Sequence, residues 1–87
     1  MKQVSVVLKN EAGLHARPAS MFTRTAAKYQ CNIKVVKGEQ EVNPKNILSL
    51  ITMNVRKGES ITIIADGIDE NEAVAALQSL VENNFPE

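Results

Sequence analysis

The chain has little aromatic content, a single histidine and a single cysteine: of its 87 residues two are Phe, one is Tyr and none is Trp. The lone cysteine, Cys31, excludes an internal disulfide and offers no second thiol to a metal. Its neighbours are not electropositive, so it reads as a packed structural thiol rather than a reactive one. One histidine without paired cysteines does not build a tetrahedral site either, and no metal or other cofactor is expected. An excess of one charge is also missing, since ten Lys plus Arg balance ten Asp plus Glu. This excludes the basic footprint of a nucleic-acid binder and favours proteins or small molecules as partners. No apolar run is long enough to span a bilayer, and the opening Met1-Lys2-Gln3-Val4-Ser5 lacks the apolar stretch of a signal peptide. A cytoplasmic protein is expected, with one domain over 1–87.

What is present is clear periodicity. Val4, Val6 and Leu8 alternate with Ser5, Val7 and Lys9, as in a strand with one buried face. Asn10 to Gly13 read as a loop. Ala19, Phe22, Ala26 and Tyr29 then recur at helical spacing, and Pro18 suits the first turn of that helix, where its missing N–H costs nothing. Ile33 to Val36 and Gln40 to Val42 flank Lys37-Gly38-Glu39 as a hairpin. Asn46 can cap a short apolar helix carrying Ile47, Leu48, Leu50 and Ile51. Ile61, Ile63 and Ala65 form a fourth strand. Asp69 and Glu72 resemble a capping box for a last helix with the stripe Ala73, Leu77, Leu80 and Val81. The order βαββαβα predicts an α+β fold: an open-faced two-layer sandwich, with an antiparallel sheet carrying its helices on one face. Ser5, Lys34, Lys37, Glu41 and Thr62 are expected on the face left to water.

The chemistry concentrates in Gly13-Leu14-His15-Ala16-Arg17-Pro18-Ala19-Ser20. If the first helix begins near Ala16, His15 stands just before its unpaired N–H groups, which favour an anion. The same partial charge favours a neutral, nucleophilic ring. Arg17 adds planar donors suited to phosphate oxygens. Together these suit a histidine that accepts a phosphoryl group, with backbone N–H groups and Arg17 taking up the charge and no metal needed. Spacing alone leaves this open, because a lone histidine beside an arginine is more often plain solvated surface.

The run from Gly13 to Ser20, together with Val42-Asn43-Pro44-Lys45-Asn46-Ile47 and the element order, resembles the HPr family, the histidine-containing phosphocarriers of the bacterial sugar phosphotransferase system. The resemblance covers essentially the whole chain. It implies four antiparallel strands with three helices on one side. It also implies that His15 takes a phosphoryl group on Nδ1 from enzyme I and passes it to the IIA components of sugar permeases. Arg17 then matches the family's phosphate-binding arginine, and the N–H groups of Ala16 and Arg17 its phosphate-binding backbone. Met21, Ile47, Leu48 and Ile51 would form the apolar docking surface for both partners, on a protein best read as a monomer. Asn46 departs from the family, where serine is usual and is phosphorylated in many relatives; asparagine cannot take that mark. Pro44, usually a small residue, is expected only to stiffen its loop. Two alternatives stand beside the carrier. An HPr-like regulatory module would act through protein binding alone, but would be expected to lack His15. A small acyl-phosphate hydrolase would need a glycine-rich phosphate loop, and none surrounds Arg17.

Overall fold

The structure, a computed structural model, describes residues 1–86, and Glu87, the last residue of the expected domain, lies outside the described residues. The elements follow the order read from periodicity: β1 (Lys2–Val7), α1 (Ala16–Ala27), β2 (Asn32–Lys37), β3 (Gln40–Val42), α2 (Ile47–Thr52), β4 (Ser60–Asp66) and α3 (Glu70–Glu82). The strands form one antiparallel sheet in the order β1-β4-β2-β3. Register places Val4 opposite Ile63, and Ile63 opposite Val35, so the apolar members of three strands share one face. Onto that face α1 brings Ala19, Phe22 and Ala26, α2 brings Leu50, and α3 brings Ala73, Val74, Leu77 and Val81, all buried. Fully burying a side chain the size of Leu50 or Phe22 stabilises by about 1.5–3 kcal/mol. The result is the expected open-faced sandwich.

The uncovered face carries the polar alternates. Ser5 and Thr62 hydroxyls meet at 3.1 Å across β1 and β4, and Lys34 pairs with Glu41 at 3.4 Å across β2 and β3. Such exposed pairs fix register more than they add stability.

Five expectations need correction. Lys37 is not on the uncovered face with Lys34: it shares the parity of buried Ile33 and Val35 in β2, and its ammonium donates to Asn54 O and Glu59 Oε1 in the α2–β4 loop. Tyr29 is not on α1, which ends at Ala27; its N–H instead donates to Ala26 O in the closing turn, and its half-buried side chain packs on the core from the connection. β1 stops at Val7, although Leu8 N–H still donates to Glu59 O at 2.9 Å. Asp69 precedes α3 but forms no capping box. Its carboxylate accepts from Gln30 N–H at 2.8 Å and Cys31 N–H at 2.9 Å, which anchors the α1–β2 connection instead. Pro44 does more than stiffen a loop, since its side chain is fully buried. Lys45 beside it donates to Tyr29 O and Cys31 O, tying the β3–α2 loop to the same connection.

These contacts set the pH response of the fold. The Gln30 N–H holds the Asp69 carboxyl below its ordinary range. The Lys57 ammonium does the same for Glu11, the Arg56 N–H for Glu59, and the terminal ammonium of Met1 for Glu70. Carboxyls held low in the folded state stabilise above their unfolded values, and that stability is lost as pH falls through the folded ones. The Met1 amino group is pushed up, chiefly by Glu70, and burial pushes the Cys31 thiol up. For both, stability is full below the unfolded value and declines as pH rises past it. Thermal unfolding should therefore show a plateau from about pH 5 to about pH 8, falling on both sides. A melting temperature still rising as pH drops below about 4 would contradict these assignments.

Candidate functional site

The loop before α1 is built to deliver His15. Asn10 Nδ2 donates to Gly13 O at 2.9 Å, Gly13 turns with φ 61, and Leu14 N–H donates to Val55 O at 3.0 Å. Leu14 is fully buried, which fixes the chain one residue before the histidine. His15 follows in extended backbone, φ −129 and ψ 161, with a half-buried side chain that does not cap the helix. Its Nε2 lies 3.0 Å from Asn54 Oδ1, a partner 39 residues away.

The backbone then reverses sharply. Ala16 has φ 52, a left-handed conformation that costs a non-glycine residue roughly 1–2 kcal/mol. A left-handed residue followed by a helical one turns consecutive N–H groups toward a common point, forming an anion-binding concavity. Here those groups belong to Ala16 and Arg17, because Pro18 has no N–H. No acidic side chain occupies the first turn of α1 itself. Arg17 is exposed beside it.

The second wall is the α2–β4 loop. Asn54, also left-handed at φ 56, donates its N–H to Ile51 O and accepts at its carbonyl from Lys37 Nζ at 3.2 Å. Glu59 Oε1 receives both Lys37 Nζ at 3.1 Å and Arg56 N–H at 2.8 Å. Asn54 was not singled out from the sequence. Its backbone role had a signal, an asparagine just past an apolar helical run, but its pairing with His15 had none.

The other expected residues fall on α1 and α2, which pack against each other. Asn46 caps α2 as read, its Oδ1 accepting from Leu48 N–H and Ser49 N–H at 3.1 and 3.3 Å. Met21, Ile47 and Ile51 are half-buried and pack partly on the core, whereas Leu48 is 70% exposed. The end of α2 adjoins His15 through Asn54, two residues beyond the helix. A hollow of about 520 Å³, lined by Met1, Lys34, Glu41, Ile64 and Asp66, lies on the uncovered sheet face. It sits at the opposite strand ends from the loops carrying His15 and Asn54, and has no part in this site.

The chain is an open-faced α+β sandwich with its histidine at a helix start, and comparison with known proteins gives its class, that of the phosphocarriers. The family model described as "PTS HPr component phosphorylation site" matches residues 2–83. The phosphocarrier protein HPr of Mycoplasma genitalium is 41% identical over 85 residues, covering 97% of each chain. The crystal structure of HPr-C-His from Thermoanaerobacter tengcongensis superposes with a TM-score of 0.97 at 42% identity, covering 100% of this chain and 98% of that one. Crh, the catabolite repression protein of Bacillus subtilis, described as a swapped dimer, gives a TM-score of 0.77 at 33% identity, with both chains fully covered. This chain belongs to the HPr family of phosphocarriers of the sugar phosphotransferase system.

Proposed function

We propose that the chain accepts a phosphoryl group on His15 from phospho-enzyme I and donates it to the IIA components of sugar permeases. The observation that carries this reading is the placing of His15 directly before the Ala16 reversal, which turns the N–H groups of Ala16 and Arg17 to one side at the start of α1. A neutral ring attacks phosphorus in line with the bond that breaks, the Ala16 and Arg17 N–H groups receive the equatorial oxygens, and the Arg17 guanidinium balances their charge. The protein is then a covalent intermediate in a relay rather than a stand-alone catalyst, and works in the cytoplasm as a monomer. Incubation with enzyme I and phosphoenolpyruvate, followed by intact mass, tests it: one phosphoryl increment supports the carrier, and none overturns it.

The likeness to Crh favours a second, regulatory reading through protein binding. His15 speaks against that as the sole role, because a module acting only by binding has no need of the acceptor. Asn46 speaks against control by a serine kinase at the start of α2: the carboxamide keeps the cap without adding the two charges of a phosphate.

For docking, we assign Leu48 as the exposed centre of a surface completed by Met21, Ile47 and Ile51. Because each partner must reach the same histidine, both contacts should overlap there. Leu48→Glu is expected to weaken binding to enzyme I and to IIA by about tenfold or more, while its exposure leaves the melting temperature nearly unchanged. Calorimetric titration against both partners checks this. Unaltered affinity for both removes Leu48 from the interface.

A further inference from the structure

We propose that Asn54 is a positioning residue that fixes the tautomer of His15, holding the hydrogen on Nε2 and leaving the lone pair on Nδ1. This rests on the carrier reading of His15. A carboxamide oxygen can only accept, so the 3.0 Å contact between Nε2 and Asn54 Oδ1 requires Nε2 to donate. A neutral imidazole carries one ring hydrogen, so with it on Nε2 the nucleophilic pair must be on Nδ1.

The acceptor is held on several sides. The Asn54 N–H is bound to Ile51 O, its carbonyl to Lys37 Nζ, and Lys37 in turn to Glu59. Its φ of 56 belongs to a conformation where glycine is free of strain and asparagine is among the few tolerated side chains. The chain therefore keeps a carboxamide where the backbone alone would be served by glycine, and that carboxamide meets the histidine.

The transfer balances with the hydrogen staying in place. The donor is a phosphohistidine whose ring is protonated on its other nitrogen. The Nδ1 pair of His15 forms the new P–N bond as the donor's P–N bond breaks, and the donor ring keeps that electron pair and leaves as neutral imidazole. His15 becomes the cationic phospho-ring without gaining or losing a proton. Its Nε2–H then donates to Asn54 from a charged group, a stronger hydrogen bond than in the free protein. The contact thus favours the reactive tautomer before transfer and the charged product after it.

The experiment compares the wild type with Asn54→Gly, which suits the backbone conformation but lacks the acceptor, and with Asn54→Asp, which keeps one. Two-bond proton–nitrogen correlation spectra of labelled protein, recorded at alkaline pH, read the tautomers of His15 directly. The Nε2–H form should dominate in the wild type. The ratio of Nε2–H to Nδ1–H should fall about threefold to tenfold in Asn54→Gly, the span that one net hydrogen bond supports, and return in Asn54→Asp. Phosphoryl labelling by enzyme I and phosphoenolpyruvate, with the site read by nitrogen and phosphorus spectra, should find Nδ1 in the wild type and slower transfer in Asn54→Gly at unchanged affinity for enzyme I. Dominance of Nδ1–H in the wild type, or an equal ratio in Asn54→Gly, would overturn the assignment of Asn54 while labelled His15 still upheld the carrier. Absence of any label on the wild type would overturn the carrier reading, and the role given to Asn54 with it.

Discussion

His15→Ala is expected to lose all phosphoryl labelling from enzyme I while keeping its fold. No other imidazole exists in the chain to take over. The loss should be complete, because a nucleophile that becomes covalently bound cannot be replaced by neighbouring electrostatics. Stability should change little: the half-exposed ring makes one hydrogen bond, and the anchoring of this segment comes from buried Leu14 and Ala19 on either side. Removing one exposed neutral hydrogen bond costs at most about 1 kcal/mol. Intact mass before and after acid treatment provides the measurement, since a phosphoramidate on imidazole is lost in acid and a phosphate ester is not. Label persisting in His15→Ala, or acid-stable label on the wild type, would place the acceptor elsewhere.

Gly13→Ala should give the largest loss of stability for the smallest change in mass. The left-handed φ of 61 costs alanine about 1–2 kcal/mol in itself. The added methyl would also overlap Val55 O and stand 2.9 Å from Arg56 Cα, both backbone atoms that cannot swing aside. Val55 O is the acceptor for Leu14 N–H, so relief of the overlap must open the junction between the loop carrying His15 and the loop carrying Asn54. A total of about 2–4 kcal/mol is expected, enough to lower the melting temperature by about 10 °C or more for a domain of this size. Phosphotransfer should slow in the fraction that stays folded, because the two walls of the site are displaced relative to each other. Gly38→Ala serves as the control, since its φ of 60 imposes similar strain but its added methyl meets nothing within 4 Å. Equal melting temperatures in the two variants would show that backbone strain alone, and not the close approach, sets the requirement at Gly13.

The contrast between those two glycines shows where reading the sequence works. Alternation in β1, β2 and β4 and the three-four spacing in α1 are local, so Val6, Ile63 and Phe22 could be assigned to the core from their own neighbourhoods. The cap at Asn46 is equally local, involving residues two and three positions away. Asp69 misled because its acceptor oxygens could serve its own helix or a distant loop, and only the assembled fold brings Gln30 and Cys31 within reach. Pro44 likewise carries the same local signature whether its loop lies open or is covered. At the site, His15 and Arg17 stood out through residue type and order. Asn54 did not, because a hydrogen bond spanning 39 residues leaves no periodic trace.

The sheet order β1-β4-β2-β3 also constrains how the chain can assemble during synthesis. β4 lies between β1 and β2, yet it is the last strand made, and only the short β2–β3 hairpin pairs strands that follow one another in the sequence. Until residues 60–66 leave the ribosome, β1 has no strand to pair with, and the apolar stripe of α1 has only part of a surface to cover. The nascent chain must therefore carry Phe22, Ile33 and Val35 without their finished layer through most of translation, and close in one late, long-range step. The small size of the protein keeps that interval short, and the positive excess of the waiting segments, ten Lys plus Arg against four Glu over residues 1–59, keeps like chains apart until the central strand arrives.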